Sequence, residues 1–476
     1  MNLYKNVKIV TLSLVALLTF NSCDEALGDN VDPLAAVVID PSLLFPQFMV
    51  AGSQVRTVEN NSINIISQQW ASGGSAGVFS NPEVYTISPF TSGNTWSQLY
   101  TISLRNASLA RDLVETNNPE ALNIIGQARV YESFIYLTLT QVFEDIPVSE
   151  AIQVATFPNP NFDAQEDALR NLIAIADEGI ALLSTETAII DNADLIYGGD
   201  RMAWIRFANS IKLKAWMLIG NVNPGEAAPA IQALVNQPLI LDNSQNAWFR
   251  YLTDIGNENP LWRTLNNFAG GTNPFWYSGS TLVNIMNTNN DPRRGTYFDE
   301  EAGGIFVGQD QGVFSPTGIS NVSLNILRPD LEDRLITASE TNYFIAEAIT
   351  RGWITGDANA FYRAGLEASL DSYDGQPGEI PAADKAAYLG TRGSIAGLSQ
   401  ADALSQIHNE QYVALFTRGI EAWTQWRRTG VPNFQLPVAA NLSDIIRRYN
   451  YPAIEISSNP NAPEQRQLDE PHWFEN

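Results

Sequence analysis

The residues best placed to do covalent chemistry are Gly73-Gly74-Ser75-Ala76-Gly77, which match the G-x-S-x-G spacing of serine hydrolases. That spacing works only on a strand-to-helix turn with a histidine nearby to take the serine proton. Here an apolar stretch of helical period precedes it and an irregular Gly/Asn-rich run follows. The chain has only His408 and His472, one in a helical stretch and one in the tail. The motif therefore has its letters without its chemistry. Two histidines and the single Cys23 are too few for a zinc site. The 52 Asp and Glu residues show no spacing that singles out a glycosidase pair. Asp299-Glu300-Glu301 with Asp310 could offer oxygens to calcium, but a solvated acidic turn is the plainer reading. No catalytic residue, metal or cofactor is expected.

What the chain does offer is flat aromatic surface beside amides, the combination that holds a sugar: a ring stacks on the pyranose face while polar groups take its hydroxyls. The run Asn273-Pro274-Phe275-Trp276-Tyr277 is the first candidate platform, with Asn273, Trp276 and Tyr277 as its contact residues. Trp70, Asn81, Tyr85 and Phe306 form a second set. The competing expectation is that these rings merely pin loops onto the body of the protein. Trp423 and Trp426, at i, i+3 on a helical stretch, read as core. The Asp291-Pro292-Arg293-Arg294 turn and the Arg427-Arg428 pair read as structural ion pairs.

The elements that must position these residues are mainly helical. Residues 337–373 read as two helices back to back, with Asp357 capping the second. Ala346, Ala348, Ala360, Ala364 and Gly365 allow the axes to approach closely. A hairpin of about 34 residues resembles a tetratricopeptide unit, which needs stacked partners to bury its face. Further helices are predicted from Pro41 to Trp70, over 95–115, from Asn118-Pro119 to about 143, from an Asp163 capping box to 183, and from Asp200 to Gly220. Others follow near 224–236, 399–417 and 423–428. In the 204–220 stretch, Arg206, Lys212 and Lys214 fall on the predicted solvated face. Residues 239–335 lose the helical period and gather aromatics, so they read as a loop-rich insert that is either functional or holds elements the period does not reveal. The tail from 449 carries four prolines.

The 476 residues are 45% hydrophobic and 17% charged, a globular composition with net charge −25. That sign repels phosphate backbones and excludes a nucleic-acid partner. At the N-terminus, Lys5 and Lys8 precede the apolar run Ile9–Phe20, too short to span a bilayer. Ser22-Cys23 then resembles a lipoprotein processing site, which predicts a signal peptide over 1–22, acylation at Cys23 and one mature domain over 23–476. Asp24-Glu25 resembles the acidic tag that directs Bacteroidetes lipoproteins to the cell surface.

Several segments together resemble the SusD/RagB family of Bacteroidetes outer-membrane nutrient-binding lipoproteins, in its SusD-like branch. They are YESFIYLTLTQVFEDIPVSEA (131–151), WIRFANSIKLKAWMLIG (204–220), NDPRRGTYF (290–298), AEAITRGWITGDANAFYRAGLEAS (346–369) and EAWTQWRRTGVP (421–432). The resemblance implies an all-α fold, a superhelix of about four tetratricopeptide-like pairs with a loop-rich portion laid over it. It also implies a non-catalytic surface protein, anchored in the outer membrane, that captures oligosaccharide and hands it to a SusC-type TonB-dependent transporter. Oligopeptide capture by the same lid is the alternative, and a surface glycoside hydrolase or esterase a more distant one.

Overall fold

The computed structural model describes residues 39–72, 81–314 and 317–475. The signal segment, Cys23 and the Gly73–Gly77 motif lie outside those residues. The helices and strands belong to one unit, Pro41–Asn476. The protein is 54% helix and 5% strand, the mainly α fold that the periodicity implies.

Helix α1 (Leu44–Ile66) stops four residues short of its predicted end. Gln68 takes φ +57° and turns the chain into strand β1 (Trp70–Ser72). Ser88 caps α2 (Pro89–Ser97), which continues through a π-turn at Gln98–Leu104 into α3 (Arg105–Asn117). Helix α4 (Leu122–Phe143) is buried on nearly every side, so hydrophobicity rather than amphipathic period marks it. Asn118-Pro119 does not cap it: the Ala121 N–H closes a turn onto the Asn118 carbonyl instead. Helix α5 (Gln165–Leu183) also departs from its predicted cap. The Asp163 carboxylate accepts from the Val148 and Ser149 N–H groups, at 2.7 and 2.9 Å, and so ties down the loop after α4. The Gln165 N–H goes to Asp145. Asp200 does cap α6 (Arg201–Val222), accepting from the Ala203 N–H at 2.9 Å. This helix runs past Gly220, whose missing side chain lets the Trp353 ring lie against the backbone; a Cβ there would sit 2.8 Å from it.

After α7 (Pro224–Leu234) comes the loop-rich stretch, which contains β2 (Ala247–Phe249), α8 (Pro260–Ala269), β3 (Trp276–Ser278), α9 (Ser280–Thr288), α10 (Arg294–Tyr297) and β4 (Asp333–Ile336). The short helices lie in segments where Gly, Asn and Pro mask the period. The hairpin α11 (Ala338–Thr350) and α12 (Ala358–Leu370) follows as predicted, with Asp357 accepting from Ala360 N–H at 3.0 Å. Gly365 permits the close crossing, since a Cβ would lie 3.0 Å from the Tyr343 ring. Helices α13 (Ala382–Arg392), α14 (Gln400–Ala414), α15 (Gly419–Thr429) and α16 (Ala453–Ser458) complete the chain.

Sequential helices pack as neighbours from α3 to α7, and α11 bridges α6, α12 and α14, which gives the stacked-pair superhelix. The strands form two antiparallel ribbons, β1–β3 and β2–β4. Trp423 and Trp426 are core. Arg293 pairs with Asp291 and Glu410, and Arg428 pairs with Glu347. Lys214 contradicts its predicted solvated face: it is buried 3.1 Å from Glu340 and 3.3 Å from Glu421. Arg56 reaches Glu421 and Asp333, and Arg418 reaches Glu340. Three cations and three carboxylates thus cancel inside the core, joining α1, α6, β4, α11 and α15. Burial alone would raise the Glu421 carboxyl, but Arg56, Lys214 and Arg418 hold it far below the usual carboxylate range.

Candidate ligand platform

Trp70 and the adjacent pair Trp276 and Tyr277, separated by some two hundred residues in sequence, meet on one ribbon. Strand β1 pairs antiparallel with β3 so that Trp70 faces Ser278, Ala71 faces Tyr277 and Ser72 faces Trp276. In a strand successive side chains point to opposite faces. On β3 this puts Trp276 and Ser278 into the protein and leaves Tyr277 half-exposed on the outer face.

That alternation corrects the expectation for both tryptophans. Trp276 and Trp70 are each 0% exposed. Their rings lie 5.5 Å apart, tilted by 41°, with Trp70 continuing onto Phe416 at 6.2 Å. The Trp276 Nε1–H donates to Asn61 Oδ1 at 3.1 Å. Both rings are occupied by packing, so in this conformation neither can offer a face to a ligand. Tyr85 is likewise 3% exposed, with φ +63°, and burial pushes its hydroxyl pKa up. Asn273 is half-buried, and its amide is taken up by the protein. Its Oδ1 accepts from the Phe275 and Trp276 N–H groups, while its Nδ2 donates to the carbonyls of Trp276 and Val322, both at 2.8 Å. It is a clip that shapes the turn into β3.

The remaining candidates stay at the surface. The Tyr277 hydroxyl is pushed up by partial desolvation and donates weakly to the Pro274 carbonyl at 3.4 Å. Phe306 is half-buried, with the Arg294 guanidinium 5.4 Å from its ring centre. Arg294 is held there by the Asp291 carbonyl and Asn287 Oδ1, each at 2.9 Å. Asn81 is exposed at the start of a 3-10 turn, Asn81–Val84.

Three residues that build the platform escape sequence reading. The Gln309 and Gln311 Nε2 groups donate to the carbonyls of Ser72 and Trp70, each at 2.8 Å, and so satisfy the outer edge of β1. Glu83, buried, accepts from the Ser72 N–H at 2.9 Å, from the Ser72 hydroxyl, and from the Gly312 N–H at 3.1 Å. Burial pushes the Glu83 carboxyl up even against these donors. Two residues past Gly312, Phe314 is exposed, and Ile305 and Val313 are exposed on the same loop. The only hint in the sequence was the alternation Gln309-x-Gln311 between Gly308 and Gly312.

Chemistry of other kinds finds little footing among the described residues. His408 and His472 are buried, His408 against Glu347 at 3.2 Å and His472 against Arg427. No group of three or more His, Cys, Asp or Glu that could hold a metal occurs among those residues. No helix among them is long and apolar enough to cross a membrane.

A family model described as SusD-like, "starch-binding associating with outer membrane", matches residues 33–452. No curated protein matches the chain. Among solved structures, a chitin-binding protein superposes with TM-score 0.76 at 23% identity, over 89% of this chain and 94% of its own. A SusD homologue from Bacteroides fragilis gives 0.75 at 22%, over 92% and 99%. A chitin-binding SusD homologue from Flavobacterium johnsoniae gives 0.74 at 19%, over 91% and 99%. At such identities the superpositions speak to the fold alone, whereas the family match runs through nearly the whole described unit. The chain belongs to the SusD-like branch of the SusD/RagB family.

Proposed function

We propose that this protein is a non-catalytic glycan-binding lipoprotein of the outer membrane. It captures oligosaccharide on the outer face of the β1–β3 ribbon and passes it to a SusC-type TonB-dependent transporter. The observation that carries the reading is the half-exposed Tyr277 ring, held on a ribbon whose other face is locked by Trp70 and Trp276. A rigid, flat, amphipathic ring is what a pyranose face requires, and its pre-organisation spares the ordering cost of binding. Phe306, Phe314 and Asn81 are the proposed neighbours in the platform. The family description and the two chitin-binding neighbours favour a neutral polysaccharide fragment as ligand. Acylation at Cys23 would hold the protein at the membrane, with 1–22 removed and 23–476 as the mature chain.

Calorimetry of the chain from residue 24 onward, against malto-oligosaccharides, chito-oligosaccharides and a basic peptide panel, tests this. Saturable binding of one sugar series without turnover is expected. Binding of peptides alone would replace glycan by oligopeptide as the cargo, and release of shorter sugars would make the protein a hydrolase.

A further inference from the structure

The described surface carries two kinds of large depression, and their chemistry differs. The larger, about 670 Å³, lies between α3, α4 and α5. Four of its charged groups are matched, Arg111 to Glu132 at 2.8 Å and Arg129 to Glu178 at 2.6 Å, with Asp112 exposed beside them. The other is a trough with two lobes of about 560 and 480 Å³ that share Asn284, Ile285, Ser405 and Asn409. It runs between α9 and α14, and one end is bordered by Asp310 and the Pro432–Gln435 turn.

The stretch of wall common to both lobes is built of amides, a hydroxyl and Ile285. The Asn289 and Asn409 Nδ2 groups are each tied to a carbonyl one turn back on their own helix, Ile285 at 2.9 Å and Ser405 at 2.8 Å. Their Oδ1 atoms are thereby oriented as fixed acceptors. The Asn284 side chain makes no hydrogen bond among the described residues and is exposed. Between them Ile285 supplies a half-buried apolar patch common to both lobes. Oriented neutral acceptors around an apolar floor suit a polyhydroxylated, uncharged chain. Three charged groups, Asp310, Asp402 and Arg392, line the outer parts of the two lobes, and Arg392 is paired with Glu410 at 3.4 Å.

The trough also begins where the platform ends. Strand β3 passes through Gly279 directly into α9, and the Ser280 N–H donates to the Gln309 carbonyl at 2.9 Å. From Tyr277 to Ser280 is about 10 Å of extended chain. The loop that carries Phe306 and Gln309 reaches the trough at Asp310.

We propose that the α9–α14 trough is a second subsite for neutral oligosaccharide, continuous with the ribbon platform, which holds the distal units of a chain whose first units lie on Tyr277. This rests on the glycan-binding reading and deepens it: affinity should depend on chain length, and the dependence should reside in the trough. The test measures the affinity of wild type, Asn284→Leu/Asn409→Leu and Ser405→Arg for maltotriose, maltoheptaose, chitotriose and chitohexaose. Ser405 and Asn284 are exposed, so melting temperatures should stay at the wild-type value. For the series that binds, the long oligomer should bind wild type about tenfold tighter than the short one, as two hydrogen bonds would give. Both variants should erase that gain while keeping trisaccharide affinity. A length gain that survives both variants, or no gain in wild type, overturns the subsite and leaves the platform standing. Binding of neither sugar series overturns both.

Discussion

Glu83→Gln tests whether the platform is held from beneath. Glu83 Oε2 accepts from the Ser72 N–H and hydroxyl, and Oε1 accepts from the Gly312 N–H. A glutamine has the same shape with one acceptor and one NH2. Turned either way, it sets its NH2 against one of the two buried backbone donors. The Ser72 hydroxyl can rotate to accept, but a backbone N–H cannot, so one buried donor is left without a partner. That costs about 1–3 kcal/mol, and the other contact loses its charge assistance as well. A net loss of about 2 kcal/mol in holding β1 to the 309–312 loop corresponds to about thirtyfold faster amide exchange there. Hydrogen exchange followed by mass spectrometry should show the increase in peptides containing Ser72 and Gly312, with α4 and α11 unchanged. Sugar affinity should weaken by the fraction of time the ribbon spends open. Exchange within twofold of wild type at both sites would refute the latch. A uniform increase across the chain would place Glu83 in the global core instead.

Trp276→Ala should cost about 3–5 kcal/mol of unfolding free energy, as for a large buried aromatic, whereas Tyr277→Ala should leave the denaturation midpoint within error and weaken sugar binding by about 1–2 kcal/mol. The reverse pattern in urea titration and calorimetry would invert the assignment of the two faces of β3. Lys214→Met should destabilise by about 3 kcal/mol, because it leaves Glu340 and Glu421 short of a cation in a buried cluster, and a midpoint unchanged in urea would contradict that. Stability should also fall with pH in two stages. Burial holds His408 and His472 below the ordinary histidine value, so the unfolded chain takes up their protons first, and stability drops as pH falls below about 6.5, by up to about 1.4 kcal/mol per pH unit for each. For Glu347, burial is outweighed by Arg428 and His408, which hold it well below its usual value, so its contribution is present above about pH 4.3 and is lost below. Denaturation midpoints from pH 8 to 3.5 check both stages, and a His408→Gln/His472→Gln variant should lose the first and weaken the second, since His408 is one of the groups that hold Glu347 down.

The fold was legible because helical pairing is written locally. Asp200 and Asp357 cap where they stand, and Gly365 opposite Tyr343 carries the hairpin crossing in a few residues. Two of the failures of local reading share one cause, which is a partner outside the helix concerned. Asp163 caps nothing because Val148 and Ser149 claim its oxygens. Lys214 leaves the solvated face because Glu340 and Glu421, on helices more than a hundred residues away, enclose it.

The platform is the sharper case. Sequence reading placed Asn273, Trp276 and Tyr277 in one candidate set and Trp70 in another, and it ranked Trp276 as contact residue with Tyr277, since composition carries no information about which of two adjacent rings faces out. Only the register does. Pairing Ala71 with Tyr277 sends Trp276 inward, and a slip of one residue would exchange the two. The register in turn is held by side chains that look unremarkable in the sequence: Asn273 at the entry to β3, Gln309 and Gln311 along β1, and Glu83 at its end. Asn273, Glu83 and the Nε2 groups of Gln309 and Gln311 are satisfied within the protein, while Gln309 Oε1 is buried without a partner among the described residues. What the ribbon leaves for a ligand is therefore a ring face, with hydroxyl recognition supplied from beside it, and the amide-lined trough that opens at Ser280 is where such acceptors are already oriented.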